Sequence, residues 1–346
     1  MKKTLIAVAA LSAMAASAMA ANVTLYGKID QGFQVQSKKA DGADRTTTWQ
    51  GVSGISSGSR WGLKGTEQLA DGYTVGFVLE SGFDGMDAKF GDSKRLFNRD
   101  AFLTLNTPFG MFTVGRTGKL SDGNTGDIIA GQASPFGTSY KLASSTKTTF
   151  VGFDTDRTDR ALRYVSPKFA GVQFHAEYAN MTHKVAGDDY YVGATTPNKK
   201  RYGGIGVSYA NGPFYAAVTA ETIRLGAKEP GDDNPQAYGF AANYDFGVAK
   251  VFAGYQYAKN PVAAKWGDDV NAGTLGVSAP VAGGTLMASV AYAKGESDLK
   301  LATGAIGYKY SLSKRTYVYT DLAYAQEKKD SKTKTTEFNM GICHSF

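Results

Sequence analysis

The sequence alternates apolar and polar residues with a period of two, and this alternation returns along the whole chain. Between residues 23 and 36 the apolar side chains fall mostly on odd positions and the polar side chains on even positions. The same pattern recurs in residues 214–221, 238–245 and 285–294. A period of two is typical of β-strands, because successive side chains of a strand point to opposite faces. The sequence therefore predicts an all-β fold.

Aromatic residues are numerous, although long apolar runs are missing. The chain contains 20 Tyr and 19 Phe, yet beyond residue 20 no apolar run approaches the ~20 residues of a transmembrane helix. Several aromatics lie beside predicted short turns: Tyr209, Phe214, Tyr244, Phe246, Tyr310 and Phe346. Aromatic girdles at both membrane interfaces are typical of transmembrane β-barrels. A soluble propeller or sandwich, the alternative fold, would bury aromatics at mid-strand.

The first twenty residues have the composition of a secretory signal peptide. Lys2 and Lys3 precede an apolar run over residues 5–16, and small residues end the segment at Ala20. We expect cleavage after Ala20, so that residues 21–346 form the mature chain. Removing the two lysines lowers the formal net charge from +7 to +5. Acidic and basic residues are interleaved, which does not favour a nucleic-acid partner.

Turn residues divide the mature chain into sixteen predicted strands. Short turns such as 70–72, 245–247 and 282–284 alternate with longer polar connections such as 37–56 and 85–95. The predicted strands are 22–36, 57–69, 73–84, 96–106, 111–118, 158–166, 172–182, 200–210, 214–225, 236–245, 248–259, 271–281, 285–295, 300–312, 316–328 and 335–346. An even number of antiparallel strands closes a barrel, and about sixteen leave room for an aqueous channel. We therefore predict a sixteen-stranded antiparallel transmembrane β-barrel.

Several motifs resemble those of the general diffusion porins of Gram-negative outer membranes, especially the neisserial and β-proteobacterial branch. They are VTLYGK at 23–28, SRWGLKG at 59–65, NRDAF at 98–102, FGMFTVGR at 109–116, RYVSPKFAG at 163–171 and HSF at 344–346. The resemblance implies a homotrimer in outer-membrane lipid, an inward-folded third loop in each barrel, and passive diffusion of ions and small hydrophilic solutes. It also implies that the barrel assembly machinery reads the terminal Phe346.

The third loop corresponds to the longest connection of the chain, about residues 118–157. Long loops without regular structure are uncommon in compact proteins unless they have a function. The predicted constriction residues of this loop are Asp122, Asp127, Pro135, Phe136 and Gly137. No acidic residue lies between Gly131 and Asp154. Together with basic wall residues, this absence predicts a channel that prefers anions.

The predicted selectivity residues on the wall are all basic. By alternation, Lys28, Arg60 and Lys64 project to the polar face. The resemblance adds Arg99 and Arg157, with Arg116 and Arg163 as their neighbours. Arg99 has the same parity as the apolar Leu103 and Leu105, so alternation alone would aim it at lipid. Because a charge in mid-membrane costs ~2–4 kcal/mol, we expect a β-bulge or a position at the rim.

Two other functions are compatible with a barrel. Tyr215, Tyr317 and Tyr319 could form the path of a substrate-specific channel for organic anions or sugars. An outer-membrane enzyme would need a nucleophile and a base, and His175 beside Glu177 lacks a recognisable nucleophile motif. No metal-ligand cluster or nucleotide motif stands out, so we expect neither a metal nor a cofactor.

Overall fold

The computed structural model describes residues 23–92, 94–122, 125–153, 157–180, 200–224, 233–261 and 263–346. The predicted signal peptide and its cleavage site after Ala20 lie outside these ranges. Within them, no helix has both the length and the apolar character needed to cross a membrane.

The described residues form eighteen β-strands and a few short helical turns. The first nine strands are β1 (Thr24–Ala40), β2 (Thr46–Ser53), β3 (Arg60–Ala70), β4 (Tyr73–Asp84), β5 (Lys89–Phe90), β6 (Asp100–Thr107), β7 (Gly110–Gly118), β8 (Arg157–Val165) and β9 (Val172–Asn180). The others are β10 (Arg201–Asn211), β11 (Phe214–Arg224), β12 (Gln236–Asp245), β13 (Lys250–Lys259), β14 (Asp269–Val281), β15 (Gly284–Gly295), β16 (Lys300–Ser311), β17 (Thr316–Lys328) and β18 (Lys332–Ser345). Helical structure comprises 3-10 turns at Ala130–Gln132, Lys141–Ala143 and Ala264–Trp266 and one α-helix, α1 (Ser145–Thr149).

The sheet closes on itself as a sixteen-stranded antiparallel barrel, as predicted. Closure is made by β1 and β18, which pair from Lys28 opposite Ser345 to Ala40 opposite Thr333. The eighteen strands occupy sixteen strand positions around the barrel, for two reasons. β2 and β3 pair with successive parts of β1 and are two pieces of one barrel strand, and among the described residues β5 pairs with β4 alone.

The predicted polar connection over residues 37–56 is wrong for its second half. Residues 46–53 form β2, and this strand extends the hairpin with β1 from Lys38 opposite Thr46 to Gln31 opposite Ser53. Consecutive threonines followed by Trp49 favour extended structure, because β-branched and aromatic side chains fit a pleated surface. The chain leaves the strand only at residues 54–59, where Gly54 has a φ of +72°.

The two faces of the barrel differ as the alternation predicts. On β17, Leu322 and Tyr324 are 48% and 41% exposed, whereas Tyr319, Asp321 and Ala323, at the alternate positions of the strand, are buried. The other strands repeat this arrangement, with large apolar side chains outside and polar or small side chains inside. The apolar outer face suits lipid, and the inner face suits water.

Because this face contacts lipid, the energetic cost of introducing a charge there should depend strongly on how deep in the membrane the charge lies. Leu322→Arg, at the middle of β17, should lower the free energy of unfolding in lipid bilayers by about 2–4 kcal/mol. Gln326→Arg, on the same face nearer the strand end, should cost about 0–1 kcal/mol. Denaturant titration of both variants in the same lipid measures the difference, and equal costs would show that Leu322 does not face the hydrocarbon core.

Candidate functional site

The segment between β7 and β8, which we call the third loop, contacts strands that are distant from both in the sheet. Four hydrogen bonds join it to β11, β12, β14 and β18: Tyr215 Oη to the Ile128 carbonyl (2.9 Å), Asn243 Nδ2 to the Gln132 carbonyl (3.0 Å), Thr274 Oγ1 to Ser145 Oγ (2.7 Å) and the Leu142 N–H to Glu337 Oε1 (3.2 Å). The wall partners alternate with outward-facing apolar residues of their strands. The third loop thus contacts the inner face.

Glycines of the wall leave room for the apolar side chains of the third loop. Five of them lie on inward positions of β10, β12, β13, β14 and β16, and each faces one loop residue: Gly206 faces Ile128, Gly239 faces Ile129, Gly254 faces Ala133, Gly276 faces Pro135 and Gly307 faces Phe136. A Cβ at Gly307 would lie 2.7 Å from Phe136 Cε1, closer than real contacts allow. The close approach of loop and wall therefore requires glycine at this position.

The predicted residues Pro135, Phe136 and Gly137 form the tip of the third loop. The Gly137 N–H donates to the Ser134 carbonyl at 3.0 Å, and Gly137 has a φ of +58°, so this is a tight turn. Phe136 is buried against Tyr140, with ring centroids 5.4 Å apart. Burial raises the pKa of the Tyr140 phenol further above neutral pH than its ordinary value.

The tip also rests on the break between β2 and β3. The Tyr140 N–H donates to the carbonyl of Ile55 at 2.5 Å, and the Ile55 side chain is fully buried among the same aromatic rings. Buried Asp30 holds the break in place, because its carboxylate accepts hydrogen bonds from Ser56 Oγ (2.7 Å) and the Ser57 N–H (2.6 Å). The irregular backbone at residues 54–59 therefore supports the third loop.

The two predicted acidic residues of the third loop have different surroundings. The Asp127 carboxylate accepts hydrogen bonds from the N–H groups of Ile129 (2.9 Å), Ala130 (3.0 Å) and Gly131 (2.7 Å). It therefore caps the following 3-10 turn. Asp122 lies 3.5 Å from the ammonium of Lys119 and borders a polar cavity.

This cavity, about 440 Å³ in volume, lies between the third loop and the wall formed by β3, β4, β6 and β8. Its cationic lining residues are Arg60, Arg99, Lys141, Lys147 and Arg157, and its anionic lining residues are Glu80, Asp100 and Asp122. Five cations against three carboxylates leave an excess of two positive charges in the lining. The sequence predicted Arg60, Arg99 and Arg157 as pore residues, and the structure brings these three together.

The arginines of the cavity are held by carboxylates of the wall. Glu80 accepts from Arg99 Nε at 2.5 Å and lies 3.3 Å from Arg60 Nε, while Arg157 Nε lies 3.4 Å from Asp100 Oδ1. Arg99 directly precedes β6, so the strand alternation does not apply to it, and its guanidinium group lines the cavity. These pairs fix the guanidinium groups in place.

The other predicted basic residues lie elsewhere. Lys28 is opposite Arg60 in the sheet, on the same face, and the Lys64 ammonium lies 5.1 Å above the Tyr26 ring. Neither residue lines the cavity. Arg116 lies at the end of β7, where it pairs with Asp159 at 2.5 Å, also outside the cavity lining.

Arg163 does not lie where the sequence analysis expected a neighbour of the constriction. It is buried beside Glu177, with Nε 2.8 Å from Oε2 of that carboxylate. Its other nitrogens donate to the carbonyls of Gly118 and of Thr125, the latter at 2.8 Å. A buried, fully hydrogen-bonded pair of this kind anchors the start of the third loop rather than lining the cavity.

Sequence reasoning missed Lys141, Lys147, Glu80 and Asp100. The two lysines carried a usable signal, since they occupy the same acid-free stretch that suggested an anion preference. The carboxylates carried none, because their pairing with arginines depends on contacts between different strands. In the described part of the chain, no cluster of three or more His, Cys, Asp or Glu could hold a metal ion.

A membrane barrel with a polar, charge-lined cavity on its inner face belongs to the class of transmembrane channels. A profile of the Gram-negative porin family matches residues 7–330. The chain therefore belongs to the Gram-negative porin family, and it is an outer membrane porin.

Relatives agree with this assignment. An outer membrane porin of Bordetella pertussis is 31% identical, and the alignment covers 100% of both chains. Among solved structures, the anion-selective porin from Comamonas acidovorans superposes with a TM-score of 0.70 at 26% identity, covering 94% of this chain and 100% of that one. The fold alone is shared with the trimer form of OmpT from Vibrio cholerae, which has a TM-score of 0.64 at 18% identity and is covered to 100%, with 94% of this chain aligned.

Packing of Phe136 on Gly307 predicts the effect of a larger wall residue. Gly307→Val should displace the loop tip, lower the free energy of unfolding by about 1–3 kcal/mol, and change the single-channel conductance. Adding Phe136→Ala should restore the stability and the conductance, because the smaller side chain leaves room for the valine. Gly304→Val is the matched control on the same strand, because the nearest atoms to a Cβ there are 3.9 Å away. If Gly304→Val and Gly307→Val behave alike, the tip does not pack on Gly307.

Proposed function

We propose that this porin forms a water-filled channel that prefers anions and is narrowed by the third loop, which folds into the lumen. The observation that carries the proposal is the excess of cationic side chains in the cavity between loop and wall. The hydrogen bonds from the loop to inward-facing residues of four distant strands support its position. The selectivity described for the Comamonas acidovorans relative supports the preferred sign of charge.

The wall and the third loop contribute different charged groups to the cavity. On the wall, Glu80 and Asp100 compensate much of the arginine charge. On the loop, Lys141 and Lys147 are exposed ammonium groups that face the same cavity. Because low-dielectric walls focus the field of a few like charges, this excess raises the local concentration of anions and lowers that of cations. The loop lysines therefore supply the bias of the channel toward anions.

The predicted tyrosine path of a substrate-specific channel finds less support. Tyr319 Oη donates to buried Asp30 at 2.5 Å, and Tyr215 Oη donates to the Ile128 carbonyl. Both hydroxyls are thus engaged with the wall or the loop and are not arranged for a passing sugar. His175, considered for an enzyme, is hydrogen-bonded to Ser208 at 2.9 Å. The relatives of this chain are porins, which are channels.

We also propose that three chains assemble as a homotrimer in outer-membrane lipid after removal of the signal peptide. The family resemblance and the trimeric relative support the assembly. Phe346 is proposed as the signal for the barrel assembly machinery. Its backbone N–H and C=O exchange two 3.1 Å hydrogen bonds with Gly27, so the last residue completes the closure of the barrel.

Planar-bilayer recording in a salt gradient tests the proposal. The wild-type channel should give a reversal potential of the sign expected for anions and close in three equal steps. Lys141→Gln with Lys147→Gln should lower the anion-to-cation permeability ratio by about two- to fivefold for each lysine, since a nearby charge is worth about 1 kcal/mol in water.

The matched control removes two exposed lysines, Lys168 and Lys314, from connections outside the cavity. Lys168→Gln with Lys314→Gln should leave the permeability ratio unchanged. A wild-type channel that prefers cations, or a loop variant with the wild-type ratio, would refute the assigned role of the loop lysines.

A further inference from the structure

A second cavity, about 290 Å³ in volume, adjoins the polar cavity between the third loop and the wall. The two cavities share Asp122, Thr138 and Lys147 as lining residues. The second cavity is also lined by other residues of the third loop and by Gln256, which lies on the inner face of β13. We call it the β13 cavity.

The β13 cavity is lined by a buried ammonium group that has few partners. The Lys119 side chain is 1% exposed, and its ammonium lies 3.5 Å from an oxygen of the Asp122 carboxylate. The centroid of the Phe153 ring is 5.1 Å from the same ammonium. Neither contact is a strong hydrogen bond, and the described residues offer this ammonium no further polar partner. Burial of a charge with three unused donors is costly, so the site favours an anion that accepts from them.

The rest of the β13 cavity combines apolar surface with one amide. Phe150, Val151 and Phe153 contribute the apolar surface. The Gln256 side-chain oxygen accepts the Gly152 N–H at 3.0 Å, which leaves the NH₂ group of this amide for a ligand. Two ammonium groups and one carboxylate also line the cavity. The lining is therefore amphipathic and carries an excess of one positive charge.

We propose that the β13 cavity binds an aromatic monocarboxylate of about the size of benzoate, which enters from the channel lumen. The carboxylate accepts hydrogen bonds from the Lys119 ammonium, and the ring packs against Phe150 and Phe153. An engineered protein cavity of about 150 Å³ holds benzene, so the β13 cavity has room for a ring that carries a carboxylate. The single excess charge of the lining favours a monocarboxylate. The site goes beyond the proposed ion preference, which depends on the polar cavity, and each can fail without the other.

Equilibrium dialysis of labelled benzoate against the purified porin in detergent, with protein-free micelles as the blank, tests the proposal. The wild-type porin should bind one benzoate per chain. Acetate lacks the ring and benzyl alcohol lacks the charge, so each should compete about tenfold or more weakly than unlabelled benzoate does. This competition uses the wild-type chain and needs no variant to fold.

Two variants separate the charged part of the site from the aromatic part. Lys119→Met keeps the length of the side chain and removes the ammonium, so it should weaken benzoate binding about 10- to 100-fold. Phe153→Leu removes one aromatic ring and should weaken binding about two- to tenfold. The matched control is Lys141→Gln, which removes a loop lysine from the polar cavity but not from the β13 cavity. It should bind benzoate as the wild type does, whereas its permeability ratio should change. Far-UV circular dichroism shows whether each variant has folded.

Three results would overturn the proposal. Wild-type affinity of a folded Lys119→Met variant would remove the buried ammonium from the role. Acetate competing as strongly as benzoate would make this a site for small anions in general. Equal loss of binding in Lys141→Gln and Lys119→Met would place the ligand in the polar cavity instead.

Discussion

Lipid offers no hydrogen-bond partner to a peptide group, and the rest of this structure depends on that constraint. Every N–H and C=O in the membrane must be paired within the protein, so the sheet has to close. Here β1 and β18 close it, and the hydrogen bonds between Gly27 and Phe346 extend the closure to the last residue. Closure gives each strand one face toward lipid and one toward water. Sixteen strands enclose more space than wall side chains can fill. In the proposed channel the third loop occupies part of that space.

The third loop depends on the wall for both its position and its charge balance. Glycines such as Gly307 let its apolar side chains approach the wall, and Arg163 holds its first residues through their carbonyls. At the cavity, the wall contributes arginines that are already paired with Glu80 and Asp100. The loop contributes two exposed lysines. In this account, one segment sets both the width of the channel and its preferred ion. A displacement of the loop would therefore change both properties together.

The sequence predicts the features that follow from alternation and misses those that depend on contacts between strands. Strand number, the two faces and the inward position of Arg60 follow from the period of two. The strand β2 was missed because its threonines resemble a polar loop when they are read without the pairing to β1. The burial of Arg163 was missed because its partner Glu177 is on the next strand. Arg99 seemed to face lipid only because the alternation was extended beyond the start of β6.

The position of the third loop in the lumen is the central claim, and an engineered disulfide tests it most directly. Thr274 Oγ1 on β14 donates to Ser145 Oγ in α1 at 2.7 Å. In a Cys343→Ser background, Ser145→Cys with Thr274→Cys should form an intramolecular disulfide under mild oxidation, with no change in single-channel conductance. Failure of the two cysteines to cross-link in the folded barrel, or a large conductance change when they do, would contradict the claim.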